Sequence, residues 1–338
     1  MSFKVIITRD FDHMSETAAR IVVEDIRSKP EYVLGLATGN SPTGLYKHLA
    51  KAANAGDFDS SLVTSFNLDE YVGLPGENAQ QRTLHPESYS YFMVQELFGL
   101  LRTKFSSTYV PWGTLIDQAL LSSEMELHPE DWEEEGADKG KAIVISPEAG
   151  SDYLRWIRKE ILDTYRERIR QSGGIDLHVV GVGGRGHVGF HEAGIPFEEN
   201  KMLLVKLDEN TVENAVADGH FKKREESPQY AISMGASLIY QAKTVLLLAN
   251  GSRKTGPVEE SLLMEPDCSV PISYGHIPAG NDGRMIYVLD RAAAEGVIRN
   301  RDVLQERGIE IEDISGDEAL VKVEDLHFRR YPEIGLIG

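Results

Sequence analysis

The sequence predicts an α/β fold in which a mainly parallel sheet is covered by helices on both faces. Three observations carry this reading. Short runs rich in Val, Ile and Leu alternate along most of the chain with longer segments of helical periodicity. Several of those runs end in glycine and small polar residues, where a strand turns towards a helix. The 338 residues, 41% of them hydrophobic, are enough to bury a sizeable core without disulfides, and no repeat or change of composition marks a domain boundary before about residue 300.

Taken in order, residues 3–8 are a β-branched run and a predicted strand, followed by a helix over 15–28 with Ala18, Ile21, Val22 and Ile26 on one face. Residues 32–37 form the second strand. Thr38-Gly39-Asn40-Ser41 then turns the chain, Ser41 suits a helix N-cap, Pro42 suits the first helical position, and the helix continues through Leu45, Leu49 and Ala52. Such a junction is an anion site in waiting, because free N–H groups and the positive dipole end converge there, although most capped helices bind only water. A third strand, 62–66, leads into Asn67-Leu68-Asp69-Glu70-Tyr71-Val72-Gly73-Leu74, which sets two adjacent acids at the sheet edge where ligands bind. Residues 75–85 read as a loop, and 86–101 as a helix whose Tyr89, Phe92, Met93 and Leu97 are core residues. From 106 to 150 the periodicity fades, and the acidic run from Glu130 to Glu135 is expected on a solvated surface insertion.

Order returns with an amphipathic helix over 152–171 and the strand that follows it, which ends in Gly181-Val182-Gly183-Gly184-Arg185-Gly186-His187-Val188-Gly189-Phe190-His191-Glu192. Arg185, His187, His191 and Glu192 put four ionisable side chains in eight positions. By itself this is a glycine-rich turn with exposed polar groups. The sharper reading is a catalytic loop in which Glu192 orients His187 and leaves its other ring nitrogen free to move a proton. Beyond it, strands are predicted at 202–207, 244–249 and 285–289, and helices at 229–240, 255–264 and 292–299. The expected organisation is a single domain over 1–300, with surface insertions near 75–84 and 106–150, and a C-terminal tail, 301–338, packed on it.

The N-terminal residues carry neither a signal-peptide core nor an Arg-rich transit pattern, no apolar run reaches membrane-spanning length, and the lone Cys268 has no internal partner. A cytoplasmic protein without membrane contact is expected. The net charge of −19 repels a phosphate backbone over most of the surface, so no nucleic-acid partner is expected, while a small anion remains compatible with a local pocket.

Three separated segments resemble one family. Residues 34–46, the Asn67-to-Leu74 segment with His85-Pro86-Glu87-Ser88-Tyr89, and the 174–192 stretch are similar to the glucosamine-6-phosphate deaminase (isomerase) family. A weaker likeness continues through Tyr230–Gly235 and Gly251-Ser252-Arg253-Lys254, so that it spans about residues 3–295; residues 75–83 and 122–149 look like insertions against the compact members. The resemblance implies a three-layer α/β/α, modified Rossmann-like fold and conversion of an amino-sugar phosphate to a ketose phosphate with ammonia release, without metal or organic cofactor. It implies that Asp69 shuttles a proton between sugar carbons C1 and C2, that His187 and Glu192 open the ring, and that Thr38, Gly39, Asn40, Ser41 and Thr43 bind phosphate with Lys254. The expected partner is a small-molecule sugar phosphate, and the chain is expected to be a homo-oligomer.

Two departures from the family pattern stand out. The family has an aspartate two residues before the loop histidine, where this chain has Arg185, and a phosphate-gripping arginine that the stretch 210–219 lacks. Arginine is no base near neutral pH, so Arg185 is expected either to replace the missing cation or to recognise another anionic group on an altered substrate. A lactonase hydrolysing a sugar-acid phosphate and a non-catalytic sugar-phosphate-binding protein are the competing readings; the Asn67-to-Tyr71 segment looks like the deaminase branch. Other signals are set aside. Gly186 and Gly189 oppose the helix that a zinc pair of His187 and His191 needs. The Gly181-x-Gly183-x-x-Gly186 spacing has no following helix or ribose-binding acid, and Gly280-Asn281-Asp282-Gly283 reads as a surface turn.

Overall fold

A strand in the middle of a parallel sheet is buried on both faces and so reads as a continuous apolar run, as Tyr32–Leu36 and Thr244–Ala249 do. The computed structural model of the chain describes residues 2–197, 201–217, 221–277 and 283–329. Its first half contains β1 (Ser2–Thr8), α1 (Phe11–Ile26), β2 (Tyr32–Leu36), α2 (Thr43–Ala55), β3 (Val63–Asn67), β4 (Asp69–Val72), α3 (Ala79–Thr83), α4 (Tyr89–Glu96), β5 (Ser107–Tyr109), α5 (Gln118–Leu127), β6 (Trp132–Glu135) and β7 (Lys141–Ile145). The second half contains α6 (Asp152–Trp156), α7 (Thr164–Gln171), β8 (Leu177–Val180), β9 (Met202–Lys206), α8 (Glu209–Ala217), β10 (Tyr230–Met234), α9 (Ala236–Ile239), β11 (Thr244–Ala249), α10 (Thr255–Leu263), β12 (Arg284–Asp290), α11 (Glu295–Arg299), α12 (Arg301–Glu306) and β13 (Glu310–Asp313).

Eight strands form one sheet in the order β13-β1-β12-β11-β8-β2-β3-β5, every neighbouring pair parallel. Alternate residues of its strands face opposite sides. Leu34, Leu246 and Val288 join Met14, Leu45 and Leu49 of α1 and α2 on one side, while Val33, Leu247 and Tyr287 join Tyr165, Val258 and Leu262 of α7 and α10 on the other. This is the expected α/β/α layering.

A second sheet of five antiparallel strands, β4-β10-β9-β7-β6, was not foreseen. It corrects two expectations. Residues 230–234, expected inside a helix, form β10 between β4 and β9, and only α9 is helical beyond them. Helix-forming Ala and Met lose there to a tertiary slot that buries both faces of the strand. Residues 106–150 are more than a surface insertion, because Leu121, Met125, Ile143 and Ile145 are buried in the main core and the acidic run becomes edge strand β6, with Glu134 paired to Lys206 at 2.9 Å. An edge strand wetted on one face gives little apolar periodicity, so the sequence pattern hid it. In the 75–85 loop, α3 is capped by Asn78 and anchored by buried Arg82, whose Nε donates to the Thr114 carbonyl at 2.8 Å. The helix expected over 152–171 is continuous but contains a π-helical section, Ile157–Asp163, between α6 and α7.

The chain beyond residue 300 adds α12 and β13, the latter lying parallel to β1 at the sheet edge. Residues 280–282 of the expected surface turn, 218–219 of the arginine-free stretch and 330–338 of the tail lie outside the described residues.

Candidate active site

The strand order places a cleft where two neighbouring strands part company. The chain leaving β2 goes to β3 on one side, whereas the chain leaving β8 re-enters the sheet at β11 on the other, and a crevice opens above their carboxyl ends. A cavity of about 210 Å³ occupies it, lined among others by Thr38, Gly39, Asn40, Ser41, Asp69, Tyr89, Gly183, His187, Phe190 and Lys254.

One wall is the turn after β2. Ser41 does not cap α2 as expected; its hydroxyl donates to Asn250 Oδ1 at 2.8 Å, and Pro42 occupies the cap position without a side-chain hydrogen bond. The dipole end of this 13-residue helix therefore meets the cleft at Pro42 with no side-chain hydrogen bond capping it. Thr43 is turned inward to its own loop, donating from Oγ1 to the Asn40 carbonyl at 2.8 Å. Lys254 enters from the chain after β11, and its Nζ donates to the Val182 carbonyl at 2.7 Å.

The two adjacent acids part in role because both lie in β4, where successive side chains point to opposite faces. Glu70 accepts from the backbone N–H of Tyr71, Tyr89 and Ser90 and from the hydroxyls of Ser88 and Ser90, at 2.9–3.0 Å, so it fastens the start of α4. Asp69 is 4% exposed, and its Oδ1 has no hydrogen-bond partner among the described residues. Burial, and then the charge of Glu70, push its carboxyl well above the usual carboxylate range.

The third wall is the glycine loop after β8. His187 folds its ring back over Gly183, where any Cβ would overlap the imidazole, and Gly189 turns the chain in the left-handed region at φ 55°. Nδ1 of His187 lies 3.4 Å from Glu192 Oε2; the histidine is 24% exposed and the carboxylate 4%. Although burial raises its pKa, Glu192 stays below the ordinary glutamate value, held ionised by His187, by the Thr211 hydroxyl at 2.7 Å and by the Asp208 N–H at 3.4 Å. His191 is turned away from the cleft: Ala236 N–H donates to its Nδ1 and its Nε2 meets the Ile195 carbonyl, both at 3.0 Å. Arg185 also points elsewhere, one guanidinium nitrogen at 2.7 Å from Asp208 Oδ2 and the other on Asp138, and it does not line the cleft.

The structure thus gathers Asp69, His187, Lys254 and the 38–41 turn around one cavity, with Glu192 behind His187, and leaves Thr43 and Arg185 beside it. Sequence reasoning missed Tyr89, which it assigned to the core. Its hydroxyl meets Thr38 and Tyr71 and its ring stacks on Phe190 at 5.8 Å. It also missed Thr211 and Asp208, which carry no local signal.

No family model matches the chain. Among named relatives, glucosamine-6-phosphate deaminase of Thermoanaerobacter sp. (strain X514) is 37% identical over 268 residues, 79% of this chain and 86% of the relative. The enzyme of the same name from Clostridium acetobutylicum is 34% identical over 292 residues, 86% of this chain and 99% of the relative. The fold is similar to that of a monomeric glucosamine-6-phosphate deaminase of the NagB superfamily, with TM-score 0.64 and 26% identity over 86% of this chain and 98% of that one. A 6-phosphogluconolactonase from Leishmania guyanensis, at 18% identity and TM-score 0.55 over 88% and 99% of the two chains, shares the fold alone. By identity sustained over most of its length, the chain belongs to the glucosamine-6-phosphate deaminase family of sugar-phosphate isomerase/deaminase enzymes.

Proposed function

We propose that the enzyme converts glucosamine 6-phosphate and water into a ketose 6-phosphate and ammonia. The observation that carries this reading is a buried Asp69, whose Oδ1 has no hydrogen-bond partner among the described residues, in the same cleft as His187 of the His187–Glu192 pair, with an uncapped helix N-terminus and Lys254 alongside.

His187 takes the proton of the anomeric hydroxyl and returns one to the ring oxygen, which opens the ring to the aldehyde, while Glu192 supports the imidazolium that forms in passing. Asp69 removes the C2 proton and delivers it to C1, while the aldehyde oxygen gains a proton and the amine gives one up, leaving a C1 hydroxyl and an imine at C2. Water adds to that carbon, ammonia departs, and the ketone remains. A carboxylate held above its normal pKa is the stronger base for a carbon acid, and the burial of Asp69 provides this. The turn of Thr38, Gly39, Asn40 and Ser41, with Thr43 bracing it, and Lys254 hold the phosphate as N–H donors and a point charge.

The Arg185 guanidinium is shared between Asp138 and Asp208, which supports glucosamine 6-phosphate itself over a ligand bearing an extra anionic group. The test is a coupled assay for ammonia and ketose phosphate from glucosamine 6-phosphate, with hydrolysis of a sugar-acid phosphate lactone measured in parallel. Turnover of roughly 1–10³ s⁻¹ is expected in the first. Lactone hydrolysis without ammonia, or binding without either, overturns the reading. Lys254→Ala is expected to weaken phosphorylated ligands and spare their dephosphorylated analogues by calorimetry; equal loss for both removes it from the phosphate site.

A further inference from the structure

The turn between β6 and β7, residues 136–140, sits directly on the carboxylate behind the candidate ring-opening histidine. A Cβ on Gly140 would lie 2.5 Å from Glu192 Cβ, so only glycine lets the hairpin close down on that side chain. Ala137 N–H donates to the Gly194 carbonyl at 2.8 Å, and Lys139 reaches Glu209 at 3.3 Å. Asp138, at the tip, is held by Arg185. The other arm of Arg185 holds Asp208 at 2.7 Å, and Asp208 is 4% exposed where the arginine is 46% exposed. Asp208 carries the backbone N–H that faces Glu192 Oε1, and its Oδ1 accepts from Asn210 N–H at 2.8 Å, next to the Thr211 that donates to the same Glu192 oxygen. Two of the features that set this chain apart in sequence, the arginine at 185 and the insertion-like 122–149 segment that carries the hairpin, therefore touch each other.

We infer that Arg185 is a positioning residue: by bridging Asp138 and Asp208 it latches the β6–β7 hairpin over Glu192 and fixes the orientation in which Glu192 holds His187. A cation between two carboxylates is needed for this, because without it the buried Asp208 carboxylate loses its counter-charge beside Glu192 and Asp138 at the hairpin tip loses its partner. The inference rests on the reading of His187 and Glu192 as the ring-opening pair, since an orientation has a catalytic effect only if that pair works.

The test compares full-length wild type with Arg185→Ala, Arg185→Lys, Asp138→Asn and the Arg185→Ala/Asp138→Asn double variant. Steady-state kinetics on glucosamine 6-phosphate are measured beside amide hydrogen exchange over residues 136–140. Arg185→Ala should lower kcat by about 10²-fold with KM little changed, the scale of a misplaced catalytic group. Asp138→Asn, at a position open enough to leave the fold intact, should lower kcat in the same direction, and the double variant should be no worse than Arg185→Ala. Lysine should restore part of the loss, because it keeps the charge but not the two-armed reach. The Ala137 amide should exchange faster in every variant except the lysine one. A raised KM at unchanged kcat overturns the inference by making Arg185 a ligand contact, and losses that multiply in the double variant overturn it by removing the shared latch. Should wild type release no ammonia, the deaminase reading fails by itself, and the latch is then judged by exchange: faster exchange supports it, unchanged exchange sinks it.

Discussion

A carboxyl oxygen buried without a partner destabilises the fold that holds it, and among the described residues Asp69 Oδ1 is in that position. Its folded pKa lies above the unfolded value near 3.8, so the folded state keeps a proton that the unfolded chain has released. Stability therefore falls as pH rises from the unfolded pKa through the folded one. Asp69→Asn is expected to lower turnover about 10²–10⁴-fold while leaving ligand binding nearly intact. It should also raise the melting temperature at neutral pH relative to wild type, with the advantage shrinking towards about pH 4, by calorimetry at several pH values. Unchanged turnover removes Asp69 from the mechanism. His191 has the opposite sign. Burial lowers its pKa from 6.5 to about 4, against the pull of the Ile195 carbonyl and of Glu192. The unfolded chain takes up the proton first, so stability present above about pH 6.5 is lost as the pH falls to about 4, on the order of 3 kcal/mol. Urea titrations across that window should show a shallower slope in His191→Gln; an equal slope would mean the histidine is charged in the folded state.

At the scale of elements, Glu70 couples a strand to a helix. Its carboxylate binds the N-terminal N–H groups of α4, whose first residue, Tyr89, forms part of the cleft wall. Glu70→Ala leaves those donors and two hydroxyls without their acceptor, so a loss of roughly 2–3 kcal/mol is expected in urea unfolding. Glu70→Gln, which keeps one acceptor oxygen, should lose less and retain ligand affinity. The reverse ranking would show that charge alone matters there. The β6–β7 hairpin acts at the same scale, since a turn from the second sheet closes over a side chain of the first sheet's loop.

For the whole molecule, the sheet edge is the vulnerable feature. β13 covers β1, Ile309 and Ile311 are buried there, and the Ile314 N–H continues the pairing to the Ile7 carbonyl at 2.9 Å. Further along, Val323 N–H meets Asp12 at the start of α1 at 3.0 Å. We take residues 301–329 to be part of the same folding unit as residues 2–300. Removing residues 309–338 is then expected to lower the urea midpoint and promote association in light scattering, because a long apolar edge strand becomes available for pairing. A truncated chain as stable and monodisperse as the full one would make the tail a separate appendage.

What the sequence determined by itself is local. Periodicity over five to ten neighbours identified six of the eight parallel strands, β1, β2, β3, β8, β11 and β12, but not the short β5 and β13, and contiguous motifs picked out the 38–41 turn, Asp69 and His187 with Glu192, all of which meet at the cleft. Those signals survive without tertiary information because strand-end turns depend on adjacent residues. What only the tertiary structure decided is partnership. It made Glu70 a helix anchor and left Asp69 unpaired, it drew residues 230–234 into a sheet, and it brought Tyr89 to Thr38. It also gave Arg185 its two carboxylates, 23 and 47 positions away in the chain. A side chain's charge can be read from its letter, but its electrostatic role depends on which distant groups the fold sets within a few ångströms of it.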